Sequence, residues 1–515
     1  MSFDRFEKNL QKNKQKMENN PETRYKSNYH QKSIVIIGAG PCGILSVKHL
    51  QDKANILCVD AKEDIGGLWH FDNLNELNHP NLEKNAFYKD LGVLHSSMYE
   101  NLITNLPKFL MTYKGFPVKQ QYDEFMTSVQ FFEYLQDYCQ HFNLKKHMLF
   151  KTYVQVVRLS KNLSEDERKQ IGFEVNKKFL IEISSSQDYQ DNVRYIQADS
   201  VIVASGRTSK PNMPQIENEE IFKGHKLHMH YFREETMKNY ENKHLVVYGC
   251  ALSAQDIVWI LLKKTEPSKQ PKQITVIGNA QHISILQKST SYKEEFASNK
   301  LKFVPTYIKK FDSSNSVELQ SGEKIENIDC FLYTTGYQYS YPFLEKYSNI
   351  DSLIEFQSQN SRRNCFGPLY KKMFCIKEPQ IVFLGCITNT VSIQQGLERQ
   401  SIAACQYLTG RVELPTQEEM MKEYEQELST TKAIYGDCRD FFKVSLFVGL
   451  NEFLYFRSLA QLCKMEYDSQ FEDYVLNVAV PIMKQIFLNG EYPQLKSQVF
   501  SDKLPENYSP PTNLF

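Results

Sequence analysis

The stretch "SIVIIGAGPCGILSVKHL", Ser33 to Leu50, carries the reading on which the fold turns. Four apolar residues lead into three glycines spaced G-x-G-x-x-G, and a helix-like run follows. This spacing predicts a strand, a tight turn and a helix. Gly38 permits the turn, Gly40 lets a pyrophosphate approach the backbone, and Gly43 lets the helix pack on the strand. Ala39, Pro41 and Cys42 complete the loop. The helix N-terminus would then face phosphates with free N–H groups and the positive end of its dipole. A second apolar run, "ANILCVDAK", ends on Asp60, 22 residues after Gly38, where a carboxylate would accept hydrogen bonds from ribose hydroxyls. Strand, turn, helix and acid together predict a dinucleotide site.

Working outward, the chain of 515 residues is too long for one ordinary core, so two or three domains are expected. Lys+Arg and Asp+Glu stand at 61 each. That balance provides no long-range field for nucleic acid or an anionic membrane. The 11 cysteines are scattered, with no C-x-x-C and no metal-ligand spacing. This suits a reduced, cytoplasmic compartment and predicts neither a disulfide framework nor a metal site. Residues 1–32 are polar and charged throughout and read as a disordered arm. The most apolar late stretch, "FFKVSLFVGLNEFLYF", is interrupted by Lys443, Asn451 and Glu452 and reads as a buried helix. The terminal "SQVFSDKLPENYSPPTNLF" is too polar for a membrane anchor.

Between Thr152 and Asp199 short alternating runs such as "FEVNKKFLIEI" predict an antiparallel meander. It closes on "ADSVIVASG", a buried strand ending in small residues. The segment "KHLVVYGCALSAQDIVWILLKK" then repeats the opening design, with its turn at Gly249, about 210 residues after the first. "QITVIGNA" follows it as a further strand, and "IDCFLYTTGY" repeats the ending of "SVIVASG". The fold class expected is α/β, with two Rossmann-like dinucleotide-binding domains, the second inserted into the first. The expected boundaries are 33–211 and 325–439 for the first domain, 212–324 for the insert, and 440–515 for a helical C-terminal region.

The second turn carries Ala251 and Ala254 where the first has Gly40 and Gly43. Only glycine freely adopts positive φ, so a plain helix-start turn stays open beside a nucleotide site. Ser253 is placed to cap the helix and Asp256 lies near its positive end.

Several motifs, taken in order, resemble the class B flavin-dependent monooxygenases, and among them the flavin-containing monooxygenases. "GAGPCG" is similar to their FAD turn, and "DIGGLW", with Gly67, Leu68 and Trp69, to the G-G-L-W signature behind it. "MYENLITNLPK" resembles the family's Y-x-x-x-x-T-N segment. "FKGHKLHMHYF", with Phe222, Gly224, His228 and Phe232, fits the identifying stretch F-x-G-x-x-x-H-x-x-x-[Y/F]. "VIVASG" and "FLYTTGY" match its two A-T-G-like hinges, and "GLERQSIAACQYLTGRVELP", with Gln400, its closing E-x-Q-[AS] helix. The resemblance covers about residues 33–460.

What the resemblance implies is an N,N-dimethylaniline-type monooxygenase using FAD, NADPH and O₂. NADPH, bound at Gly249, Ser253, Ala254, Gln255 and Asp256, would reduce FAD held at the first turn. The reduced flavin and O₂ would give a C4a-hydroperoxide that passes one oxygen atom to a soft nitrogen or sulfur nucleophile. The flavin carries the redox chemistry, and the protein positions it and excludes water. Asn105, at the family's active-site asparagine, is the catalytic candidate, since its amide donates and accepts without titrating. A local turn is the alternative for such a residue. Thr104 would contact flavin or the nicotinamide ribose. For His228, a structural role and a linker role both stand. Phe232 replaces the tryptophan usual in Baeyer–Villiger enzymes and disfavours that branch. The tip of the strand after the second turn holds neither Arg nor Lys, which predicts reduced discrimination between NADPH and NADH. Lys272, Lys288 and Arg233 are the cations to consider there, with His282 nearby. An NADPH oxidase or a non-catalytic flavin or nucleotide sensor is the competing class, and a homodimer is open. No nucleic-acid partner is expected.

Overall fold

The computed structural model describes residues 32–71, 96–100, 102–174, 176–185, 193–345, 353–359, 362–388, 390–435, 441–442 and 450–481. All but Lys32 of the expected arm 1–32, the stretch 443–449 and the tail 482–515 lie outside the described residues.

β1 (Ser33–Ile37) is buried at every position. An apolar run without alternation needs cover on both faces, which a parallel sheet under helices supplies. β1 pairs in parallel with β2 (Asn55–Val59) on one side and β7 (Ser200–Val203) on the other. β3 (Met148–Leu149) extends the sheet past β2, and β22 (Ile381–Phe383) extends it past β7. β20 (Leu369–Tyr370) and β21 (Phe374–Cys375) close that edge as antiparallel strands. The order is β20-β21-β22-β7-β1-β2-β3. α1 (Pro41–Leu50) follows the glycine turn and packs against α5 (Ile393–Leu408). The meander forms as expected: β4 (Thr152–Leu159), β5 (Phe179–Ser185) and β6 (Arg194–Ala198) make an antiparallel sheet.

A second parallel sheet runs β12-β11-β10-β16-β9. Its strands are β9 (His225–His228), β10 (His244–Tyr248), β11 (Gln273–Ile277), β12 (Leu301–Val304) and β16 (Cys330–Tyr333). β13 (Ile308–Ser313), β14 (Ser316–Leu319) and β15 (Lys324–Ile325) form a small antiparallel sheet within the insert. The insert is therefore longer than the expected 212–324. Cys330 to Tyr333 pairs with β10, not with the first sheet. An apolar strand buried on both faces looks alike in either sheet, so its partner had to come from the tertiary structure.

The chain crosses between the two sheets twice, and the crossings hold each other. β8 (Lys210–Pro211) pairs antiparallel with β17 (Tyr337–Gln338). Buried Asn212 clamps them: its N–H donates to Gly336 O at 2.8 Å and its Nδ2 to Thr335 O at 3.0 Å. A hairpin of β18 (Glu355–Gln359) and β19 (Arg362–Gly367) follows. The helical C-terminal part begins before 440, with α6 (Gln417–Tyr435) ahead of α7 (Leu450–Leu462). Among the described residues no helix is long and apolar enough to cross a membrane.

α1 sits so close to its turn that a Cβ at Gly43 would lie 1.9 Å from Gly38 O, a backbone atom that cannot swing aside. Gly43→Ala is expected to destabilise the first domain by about 3 kcal/mol or more. A lowered midpoint of chemical denaturation for the purified variant checks this.

Candidate nucleotide and oxygenation sites

The two glycine turns are the same device built twice. Gly38 (φ +105°) follows β1, and a Cβ there would lie 2.5 Å from Ala204 O, at the end of β7. Gly249 (φ +119°) follows β10, and a Cβ there would lie 2.4 Å from Thr334 O, at the end of β16. The N–H of Gly38 donates to Val59 O at 2.8 Å and that of Gly249 to Ile277 O at 2.9 Å. Each small-residue hinge is thus the carbonyl wall against which a glycine turns.

The alanine at the start of the second turn's helix carries no backbone strain. Gly40 caps α1 at φ −73°, ψ −172°, and Ala251 caps α3 (Leu252–Trp259) at φ −84°, ψ −166°. Both values are ordinary extended backbone, so alanine is unstrained there. Neither helix start has a side-chain cap, and neither has an acid in its first turn. Ser253, read as a cap, does not serve as one. By contrast α2 (Ser128–His141) starts with a full capping box from Thr127 and Gln130. Two helices that leave their first N–H groups to an outside acceptor offer anion sites.

The first turn is backed by a second glycine pair. A Cβ on Gly67 (φ +54°) would lie 2.9 Å from Gly40 Cα, so the two backbones meet in close contact that only glycine permits. Leu68 is exposed, and half-buried Trp69 packs edge-on against Phe131 at 4.5 Å. Asp60 stands at the tip of β2. One carboxylate oxygen accepts the Ala39 N–H at 2.6 Å, the other that of Lys62 at 2.8 Å. Burial nonetheless pushes the carboxyl above its usual range. Each oxygen keeps a second acceptor position for a ribose hydroxyl. Cys42 is buried against the turn of Gly385, where a Cβ would lie 2.8 Å from Cys42 Sγ. Gln400, expected to touch cofactor, is fully buried behind that turn. It accepts the Gly385 N–H at 3.2 Å and donates to Tyr455 Oη at 2.7 Å, so it positions the turn.

Thr104 and Asn105 lie on a strip held along the approach to α2. Thr104 N–H donates to Met126 O at 2.8 Å, and its hydroxyl to Leu106 O at 2.9 Å. Asn105 is half-buried. The short turn Lys108–Met111 beyond it packs on α5, where Gln395 Nε2 donates to Thr112 O at 3.0 Å. Six residues before Asn105, buried Tyr99 donates its hydroxyl to buried Asp256 on α3. Burial and the Asp256 carboxylate hold that phenol far above its usual range, so it stays a donor. Asp256 is thus engaged by Tyr99, a contact that neither motif announces by itself.

The linker motif divides into packing and hinge. Phe222 packs with Phe311 at 5.4 Å, and a Cβ at Gly224 would lie 2.3 Å from Asp329 O. Phe232 packs edge-on against Tyr99 at 6.1 Å. His228 is buried, its Nδ1 accepts the His230 N–H at 3.1 Å, and its ring meets Tyr337 of the second hinge at 5.6 Å. Burial pulls its pKa down to about 4, which keeps the ring neutral near pH 7. Arg233 is committed: its guanidinium donates to Phe232 O at 2.7 Å and to Ser96 O at 2.9 Å. The described cysteines are free and buried.

The comparisons agree with this architecture. The family described as Flavin-binding monooxygenase-like matches residues 31–281 and 298–456. The chain belongs to that family, a flavoprotein oxidoreductase group of monooxygenases that use FAD and NADPH. It is 27% identical over 402 residues to the flavin-containing monooxygenase FMO GS-OX5 of Arabidopsis thaliana, covering 76% of this chain and 77% of the relative. It is 25% identical over 395 residues to senecionine N-oxygenase of Tyria jacobaeae, covering 76% and 74%. Among solved structures, S-allyl-L-cysteine S-oxygenase from Allium sativum superposes with a TM-score of 0.69 at 21% identity. That match covers 92% of this chain and 100% of the other.

Tyr99→Phe removes a hydrogen bond to a buried carboxylate. It is expected to cost about 2 kcal/mol and to weaken NADPH binding, as measured by denaturation and nucleotide titration. His228 gives a pH signature. The unfolded ring takes a proton near its ordinary 6.5 and the folded ring only near 4, so stability falls as pH drops through that window. His228→Asn, which keeps an acceptor for the His230 N–H, should flatten the slope. Denaturation midpoints across the window should recover up to about 3 kcal/mol near its acid end.

Proposed function

We propose that this chain transfers one oxygen atom of O₂ to a soft nitrogen or sulfur nucleophile, in the manner of an N,N-dimethylaniline-type monooxygenase. The observation that carries this reading is the strip from Ser96 to Asn105. It ties the α3 side of the second turn, through Tyr99, to the position of Asn105 beside the first domain's helices. A reductant site and an oxygen site joined by ten residues suit a reaction in which nicotinamide reduces a flavin that then meets substrate. The names of two relatives, an N-oxygenase and an S-oxygenase, bracket the same chemistry.

In this reading Gly38 to Gly43, Asp60, Gly67, Leu68, Trp69 and Thr104 hold FAD, and Gly249 with Ser253, Ala254, Gln255 and Asp256 holds NADPH. When bound, the flavin supplies the reducing equivalents and the activated oxygen. The protein's own work is positional. Uncapped N–H groups at α1 and α3 hold the pyrophosphates, and Asp60 braces the first turn against β2. The Asn105 amide offers a hydrogen bond that no pH change removes. Tyr99 and Asp256 keep the two halves in register. The competing oxidase reading drew on the alanines of the second turn; Ala251 there takes an extended backbone that alanine adopts without strain.

Stopped-flow mixing of the NADPH-reduced protein with O₂ tests the proposal. The expected result is a long-lived absorbance distinct from reduced and oxidised flavin, discharged by an added amine or sulfide with one product per NADPH. Immediate return of oxidised flavin with stoichiometric peroxide would sink it. Asn105→Ala should keep FAD and NADPH but shift most NADPH consumption to peroxide, lowering product formation about 100-fold.

A further inference from the structure

The two turns differ most at the tip of the strand that follows each. After β2 the first residue is Asp60, whose carboxylate accepts the Ala39 N–H. The hydrogen bonds of Gly38 to Val59 and of Gly249 to Ile277 align the two strand ends, so Gly278 occupies the place of Asp60. A Cβ at Gly278 would lie 2.6 Å from Cys250 Sγ and 2.9 Å from Cys250 Cβ. Cys250 stands where the first turn has Ala39, and its side chain would have to shift to admit one at position 278. The second turn thus lacks the acid that reads a ribose 2′-hydroxyl and repels a 2′-phosphate.

The next residue, Asn279, is neutral. Its Oδ1 accepts the N–H groups of Gln281 at 2.9 Å and His282 at 3.2 Å, capping α4 (Ala280–Leu286). The cations that sequence offered are placed elsewhere. Arg233 is buried and spent on carbonyls. Lys272 precedes β11, at the end opposite its tip, and five residues of strand span about 16 Å. Lys288 lies beyond the C-terminal end of α4. Among the described residues the tip carries neither the cation that would compensate a 2′-phosphate nor the acid that would refuse one.

We infer that the second nucleotide site accepts NADH alongside NADPH, because Gly278 and Asn279 leave the ribose 2′ position without a charged reader. This rests on the second turn being the nicotinamide site. Discrimination then reduces to neutral contacts, and the ratio of affinities stays within about tenfold, against the 100-fold that a paired phosphate provides.

The test is calorimetric titration of the FAD-loaded full chain with 2′,5′-ADP and with 5′-AMP, which needs no turnover. Dissociation constants within about tenfold of each other are expected. Ala280→Arg adds a cation beside the tip at an exposed position and leaves the Asn279 cap intact. It should tighten 2′,5′-ADP about tenfold or more and leave 5′-AMP unchanged. A 100-fold preference of the unmodified protein for 2′,5′-ADP would overturn this inference and leave the proposed function standing. Binding of neither nucleotide would overturn the nucleotide site itself and the proposed function with it.

Discussion

Everything in this molecule depends on two places where a backbone carbonyl stands where a side chain would otherwise be. Ala204 O faces Gly38 and Thr334 O faces Gly249, each closer to the ideal Cβ position than any real Cβ tolerates. Both glycines also hold positive φ, which an L side chain resists. The contact brings the end of one parallel strand against the turn of its neighbour. That in turn sets where the next helix starts and where its unpaired N–H groups point. The nucleotide sites follow from packing before any polar residue is considered.

Polar groups near these turns serve mostly to hold backbone. Asp60 accepts two main-chain N–H groups, Gln400 braces Gly385, and Asn212 clamps the two crossings between sheets. Gln400 and Asn212 are buried and hydrogen-bonded, which is the condition for a polar side chain to be tolerated inside. His228 belongs with them. Burial lowers its pKa, and its ring packs against Tyr337 of the second hinge.

The strip from Ser96 to Asn105 couples the halves. At one end Ser96 O accepts from Arg233, in the middle Tyr99 donates to Asp256, and at the other end Thr104 is anchored to Met126. At the strand tip the second turn has Gly278 where the first has the Asp60 carboxylate. Cys250 fills the space beside Gly278.

The glycine spacing, the apolar runs around it and their repetition near Gly249 were enough to determine an α/β chain with two dinucleotide turns. These are local properties: a positive φ, a buried strand, a helix start. The identities of Asn105, Tyr99 and the F-x-G-x-x-x-H stretch were legible as a resemblance, in the order in which they occur. What remained undecided was everything that depends on a partner distant in sequence. Cys330 to Tyr333 joined the second sheet because β10 was its neighbour, and no face of that strand could announce it. Ala251 was sound because its backbone is extended, a fact about φ that residue type alone does not reveal. Arg233 is spent on carbonyls at Phe232 and Ser96, and Gln400 is hydrogen-bonded to Gly385 and Tyr455. Local conformation is written in neighbouring residues, whereas the use of a polar side chain is decided by whichever distant group the folded chain brings within hydrogen-bonding reach.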